Sequence, residues 1–331
     1  MKKNLLIKSC MITMLAALMF GSVPAPAQNS VPETFYQPEE NTDIDYTKEE
    51  SRWSFSRSLE TSHFFIFWES EFGSDPNNEN VPDELRVDVK DLAEKLEEFY
   101  ATETEKLGFG SSELINGYKL QVYLLYTKDW VATGSGYDNQ IGALWVSPST
   151  CHPAASVIAH EVGHCFQYLI YCEQLENGHP DDGESGFRYS YEDGLGNAFW
   201  EISAQWQSWQ DYPEEQFTDY EMETWFQNYF RAFENEWTRY QNYWLITYFT
   251  EKYGSDWLST IWRESKDGED VLSCHLRIYL DGDLERLDQE HQKKNSTRKK
   301  PSAARATGFT NFQQRDYDFD KLEEMLLQSQ K

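Results

Sequence analysis

One stretch constrains the fold more than any other: Ser156 to Ile170, SVIAHEVGHCFQYLI. Its apolar residues Val157, Ile158, Val162, Cys165, Phe166 and Leu169 recur at helical spacing, which predicts a helix packed into a core. Set into that helix are His160, Glu161 and His164. Positions i and i+4 lie about 40° apart and one turn along, so both imidazoles can reach one metal ion. Glu161 is turned about 100° from His160, placed to touch a metal-bound water rather than the metal. Two histidines and a neighbouring carboxylate in this pattern have the geometry of a zinc hydrolase. The plainer reading is a pair of surface histidines on a helix.

Catalytic zinc takes a third protein ligand and keeps a fourth position open. Gln167 and Ile170 stand where the pattern HExxHxxGxxH needs Gly and His, which excludes that subclass. No Gly-Thr-x-Asp follows, which disfavours an aspartate as third ligand. A glutamate on a later helix remains, and Glu201 in NAFWEISAQWQSW fits best. Ala204, Gln205 and Ser208 share its face and are small or polar, and Ala204 and Gly163 permit close approach of two helices. Glu184, Glu192 and His179 are the alternatives, and Glu201 has its own plainer role as a first-turn acid favouring the helix dipole.

The charge narrows the partners. Against 29 Lys and Arg stand 57 Asp and Glu, a formal charge of −28. Nucleic-acid backbones and anionic membrane surfaces repel such a chain. Aromatic residues make up 16% of it, too many for a disordered polymer. Lys2, Lys3 and Lys8, the apolar run Cys10 to Phe20 and the small residues ending at Ala27 have the three-part pattern of a secretory signal peptide. The expected location is therefore secreted or periplasmic, with cleavage after Ala27 and no membrane span afterwards. The apolar run is too short to cross a bilayer, which takes about 20 residues. Cys151, Cys165, Cys172 and Cys274 remain; Cys151–Cys172 or Cys172–Cys274 are open to a disulfide, and buried thiols are the alternative.

The element pattern is strands first, helices later, an α+β arrangement. Strands are expected over Ser62–Glu69, Tyr118–Tyr126 and Ile141–Val146, the last at a sheet edge, with Gly134-Ser135-Gly136 in a loop. Helices are expected over Val81–Leu107, His152–Gln174 with Pro153 in its first turn, Asn197–Gln210, Tyr220–Phe233, Tyr240–Lys252, Asp256–Glu264, Val271–Leu280 and Tyr317–Gln330. Gln28 to Ser51 reads as an extended acidic lead-in, Glu176 to Gly194 as a loop, and Lys293 to Arg305 as a basic linker.

The motif HEVGH followed by a Glu in a Trp-Glu-x-x-Ala setting resembles the gluzincin zinc metallopeptidases. SHFFIFWE (Ser62–Glu69), GSGYDNQIGALWVSP (Gly134–Pro148), HEVGHCFQY (His160–Tyr168) and FWEISAQW (Phe199–Trp206) are similar to a family of secreted bacterial proteins known as a domain of unknown function. The resemblance implies a zincin-like fold over residues 52–290, between the lead-in at 28–51 and the basic linker and helix at 291–331. It implies a zinc-dependent peptidase acting on proteins or glycoproteins, with His160, His164 and Glu201 as ligands and Glu161 as base. Gluzincins often carry an Asp just after the Glu ligand to orient a histidine. Gln205 holds that position here, and Gln205 and Gln167 are the candidates for that task. Tyr191, ahead of Tyr189 and His179, is the candidate donor to the oxyanion. In zincins an edge strand pairs with an extended substrate, and Ile141–Ser147 is the candidate. A reading from another class is a glycan- or protein-binding module, or an inactive relative, built on the many Trp and Tyr.

Overall fold

Alternation along three strands sorts the sheet into two faces. Phe64, Ile66 and Trp68 join Leu120, Val122, Leu124, Leu144 and Val146 in one buried cluster. Phe65, Phe67, Tyr123, Ile141 and Ala143 belong to another. This period of two is what a strand covered on both sides demands. The computed structural model describes residues 31–111, 117–178, 197–231, 233, 235–266 and 269–280. Within them lie a five-stranded sheet and seven α-helices, a mixed α and β fold. No helix among the described residues is long and apolar enough to cross a membrane.

The strands are β1 (Ser58–Glu60), β2 (Phe64–Trp68), β3 (Leu120–Leu124), β4 (Ala132–Tyr137) and β5 (Ile141–Val146), in the order β1-β2-β3-β5-β4. β2, β3 and β5 run parallel; β1 and β4 are antiparallel to their neighbours. Two expectations are corrected here. The glycines at 134–136 lie in β4 rather than a loop, and β5 is flanked by β3 and β4, so the edge is β4. The reason is packing. A Cβ at Gly134 would come within 2.1 Å of the Glu161 carbonyl oxygen, so only glycine lets β4 cross this closely over the helix that carries the histidines.

That helix, α2 (Ser156–Glu176), lies against β4 and β5 and is buried along most of its length. It starts four residues later than expected. An isolated bridge between Cys151 and Ala154 holds Pro153 in a turn ahead of it. The helix expected from Val81 is also shorter. Asp83–Leu85 forms a single 3-10 turn, and α1 (Val89–Ala101) begins where the Asp88 side chain accepts from the backbone N–H groups of Lys90 and Asp91. The path continues as a π-helical turn, Thr102–Lys106. Then come α3 (Asn197–Ser208), α4 (Asp219–Asn228), α5 (Trp244–Tyr253), α6 (Trp257–Glu264) and α7 (Val271–Tyr279), each within a few residues of its expected span.

The segment before β1 does more than lead in. Phe35 and Tyr46 are buried with Trp53 and Phe55 over Phe65 and Phe67. The Phe35 ring lies 5.1 Å from Phe55 and 5.6 Å from Phe65. Gln121, inside the sheet, donates to the Tyr36 carbonyl at 2.6 Å. The second sheet face is too aromatic to leave in water, and this segment covers it. Cys151, Cys165, Cys172 and Cys274 are all buried thiols, and neither disulfide pairing occurs. The first 27 residues, the basic stretch Lys293–Arg305 and the helix expected over Tyr317–Gln330 lie outside the described residues.

Candidate metal centre

α2 and α3 pack together, and three side chains meet between them. His160 Nε2 stands 3.1 Å from Glu201 Oε2, and His164 Nε2 stands 3.4 Å from the same oxygen. The ligand atoms of the three residues all lie within 4.8 Å of one another. Donors of a tetrahedral site with bonds of 2.0–2.2 Å stand about 3.3–3.6 Å apart, so both measured separations are close to that spacing. Two imidazoles and a carboxylate are also a donor set that zinc accepts. The residues present therefore fit a metal ion.

Each is held by its own element. The His160 and His164 rings, one turn apart on α2, have centroids 4.6 Å apart at 88°. His164 is stacked on Trp200 of α3, at 4.5 Å and 11°. Its Nδ1 lies 3.0 Å from Gln167 Oε1. Glu201 is mostly buried, which alone would raise its pKa. The hydrogen bonds and charges of His160 and His164 overcome that and hold its carboxyl well below the usual range. Burial pulls the His160 pKa down, but the bond to Glu201 and the charges of Glu161 and Glu201 win, and the net direction is up. The groups are mutually poised for a cation.

The remaining residues singled out by sequence sort into three kinds. Glu161 is buried beside His160 and outside the converging trio, and its charge acts on His160 and on Tyr240. Gln167 Oε1 is in contact with His164 Nδ1. Gln205 adds to the rise of the His160 pKa from beyond normal hydrogen-bond reach, since the buried His160 Nδ1 has no partner within that distance among the described residues. Tyr191, Tyr189, His179, Glu184 and Glu192 lie outside the described residues.

Sequence reasoning missed Tyr240. Its ring centroid is 6.0 Å from that of His160. Burial, then the charge of Glu201, push its phenol up to about 12, so at neutral pH it keeps its proton and is available as a donor. Nothing local in the sequence marks it; it arrives from the segment before α5, some 80 residues beyond the motif.

A mixed α and β fold with a buried two-histidine, one-glutamate cluster is the class that the geometry defines. The chain belongs to a family of unknown function, DUF6055, whose profile matches residues 27–297. No curated protein matches it, and no solved structure does.

Proposed function

We propose that this protein is a zinc-dependent metallopeptidase of gluzincin type, with a zincin-like fold, that hydrolyses peptide bonds of proteins or glycoproteins outside the cytoplasm. The observation that carries the reading is the convergence of His160, His164 and Glu201 on one point, with Glu161 buried alongside. Bound zinc would supply Lewis acidity, lowering the pKa of water toward about 7 and polarising the scissile carbonyl.

The chain's own residues supply the rest. Glu161 takes a proton from the attacking water and returns it to the leaving amine. Tyr240, protonated and beside His160, donates to the oxygen on which negative charge develops. β4, the sheet edge nearest α2, has no strand beyond it among the described residues and offers that side to an extended peptide, the role first assigned to Ile141–Ser147. Export after cleavage at Ala27 fits this chemistry, and the N-terminal sequence of the mature protein tests it.

The deciding experiment is zinc stoichiometry of the purified mature chain, together with hydrolysis of unfolded protein and glycoprotein substrates. About one zinc per chain, lost in Glu201→Ala, and hydrolysis supports the reading; a metal-free, inactive protein sinks it. A second reading has its own observation. Tyr220, Phe226, Phe230 and Trp237 are all more than half exposed, as rings that stack on sugars are. A glycan-binding module would purify without zinc and bind oligosaccharides regardless of Glu161.

A further inference from the structure

Behind His164 runs a row of buried polar side chains that the proposed chemistry does not use. Gln167 Oε1 lies against His164 Nδ1, and Gln167 Nε2 donates to Ser203 Oγ at 3.0 Å and to Gln207 Oε1 at 2.7 Å. Gln207 Nε2 in turn donates to Glu103 Oε2 at 2.8 Å. Gln167, Ser203, Gln207 and Glu103 are each at most 3% exposed, so water does not compete for these bonds. The row crosses three elements: α2, α3 and the π-helical turn after α1. Gly163, inside the HEVGH motif, makes room for it, because a Cβ there would sit 3.2 Å from the Gln207 amide.

Chemistry fixes the direction of the row. Ser203 Oγ stands 2.6 Å from the Phe199 carbonyl and 3.2 Å from that of Trp200. Two oxygens at 2.6 Å share a proton, and the carbonyl has none to give. The hydroxyl proton is thus committed to the backbone, and toward Gln167 Ser203 can only accept. The Gln167 NH2 group must face Ser203 and Gln207, which leaves its carbonyl oxygen for His164. Reversing Gln207 alone would set two NH2 groups against each other. Reversing Gln167 as well would set an oxygen that donates nothing against the lone pairs of Ser203.

We infer that Ser203, Gln207 and Glu103 are positioning residues that clamp the Gln167 amide and so hold His164 as its Nδ1–H tautomer, with the Nε2 lone pair aimed at the metal position. The inference rests on the metal reading above, since a tautomer preference serves catalysis only if Nε2 is a ligand. An outer partner of this kind orients a ligating histidine, and its loss weakens metal binding by about 10- to 100-fold.

Two variants test it. Ser203→Ala removes the group that sets the direction, and Gln207→Met breaks the row at nearly constant volume. The readout is the ring nitrogen spectrum of 15N-histidine-labelled, metal-free protein at alkaline pH in a Glu201→Ala background, which removes the carboxylate 3.4 Å from His164 Nε2 and leaves the Gln167 row to set the tautomer, with His164 assigned from His164→Ala. With the row intact His164 should show only its Nδ1–H form, and each row variant a mixture of forms. Zinc affinity, measured with Glu201 in place, should fall about tenfold in both. Ser203→Thr, which restores the hydroxyl, should recover the single form. Folded variants that keep one His164 tautomer and wild-type zinc affinity would overturn the inference. A wild type that takes up no zinc would instead refute the metal reading, while the spectrum of the metal-free protein still reports on the row.

Discussion

Two neighbourhoods hold buried histidines among aromatic rings, and they behave in opposite ways. At the α2–α3 contact, His160 and His164 meet Glu201, with Trp200 and Tyr240 alongside. Between α5, α6 and α7, His275 is surrounded by Phe249, Tyr253, Trp257 and Tyr279, with ring centroids between 4.1 and 5.9 Å away. Among the described residues His275 meets no carboxylate. Trp257 Nε1 donates to its Nδ1 at 3.1 Å, and burial followed by the charge of Lys252 pulls its pKa down to about 3. One site gathers negative charge and welcomes a cation; the other rejects even a proton. Burial and aromatic contact are shared, so they do not decide whether a cluster suits a cation. The companion charge does.

The largest expected effects fall on the first neighbourhood. Glu161→Gln should cut hydrolysis by about 10³-fold while zinc content stays at the wild-type level, measured on one preparation by turnover and metal analysis. His164→Ala should lose the zinc itself, because two ligands hold it poorly. Retained activity in Glu161→Gln would mean that another group is the base. Next comes the frame of the site. Gly134→Ala puts a methyl into backbone, which does not yield cheaply, and should cost about 3 kcal/mol of stability in denaturant unfolding. A variant as stable as wild type would show that β4 can lift away from α2 without penalty. Tyr240→Phe should lower kcat about 10²-fold at constant zinc content, and an unchanged kcat would remove Tyr240 from the reaction.

How much of this was legible in the sequence depends on distance along the chain. His160, Glu161 and His164 could be read because helical geometry alone relates them, and Glu201 because a second helix of small and polar character follows at a workable distance. His275 shows the limit. It lies on a helix with apolar neighbours, and no spacing rule tells that its partner is Trp257 rather than an acid. Tyr240 and Glu103 reach the site from segments whose approach only the folded chain decides. Gln207 shares α3 with Glu201 and stands four positions after Ser203, but nothing in the sequence says that this face meets Gln167. Glu103, in TETEK near the end of the helix expected over Val81–Leu107, reads like any solvated position. β4 was missed because glycine serves both turns and close backbone contacts, and sequence does not say which. The aromatic lead-in was missed because its acids are exposed while Phe35 and Tyr46 turn inward.

The smallest effect at neutral pH belongs to the second neighbourhood, and it sharpens the contrast most directly. His275 takes a proton with a pKa of about 3 when folded, against 6.5 for an ordinary imidazole. Between those values the unfolded chain binds a proton that the folded chain refuses. Stability therefore falls as pH drops from 6.5 toward 3, with a slope approaching ~1.4 kcal/mol per pH unit, and this contribution is constant above 6.5. His275→Asn places an amide oxygen near Trp257 Nε1 and removes the titration. At neutral pH the variant should be less stable than wild type by about 1–2 kcal/mol, from the space left behind. As the pH is lowered that deficit should shrink and then reverse, because only wild type loses stability through His275. Urea unfolding at a series of pH values reads the gap between the two proteins. A gap that stays constant with pH would mean that His275 is not held neutral by burial and Lys252. Zinc content and hydrolysis at neutral pH should not change, and a loss of either would show that the two histidine neighbourhoods are coupled rather than opposite.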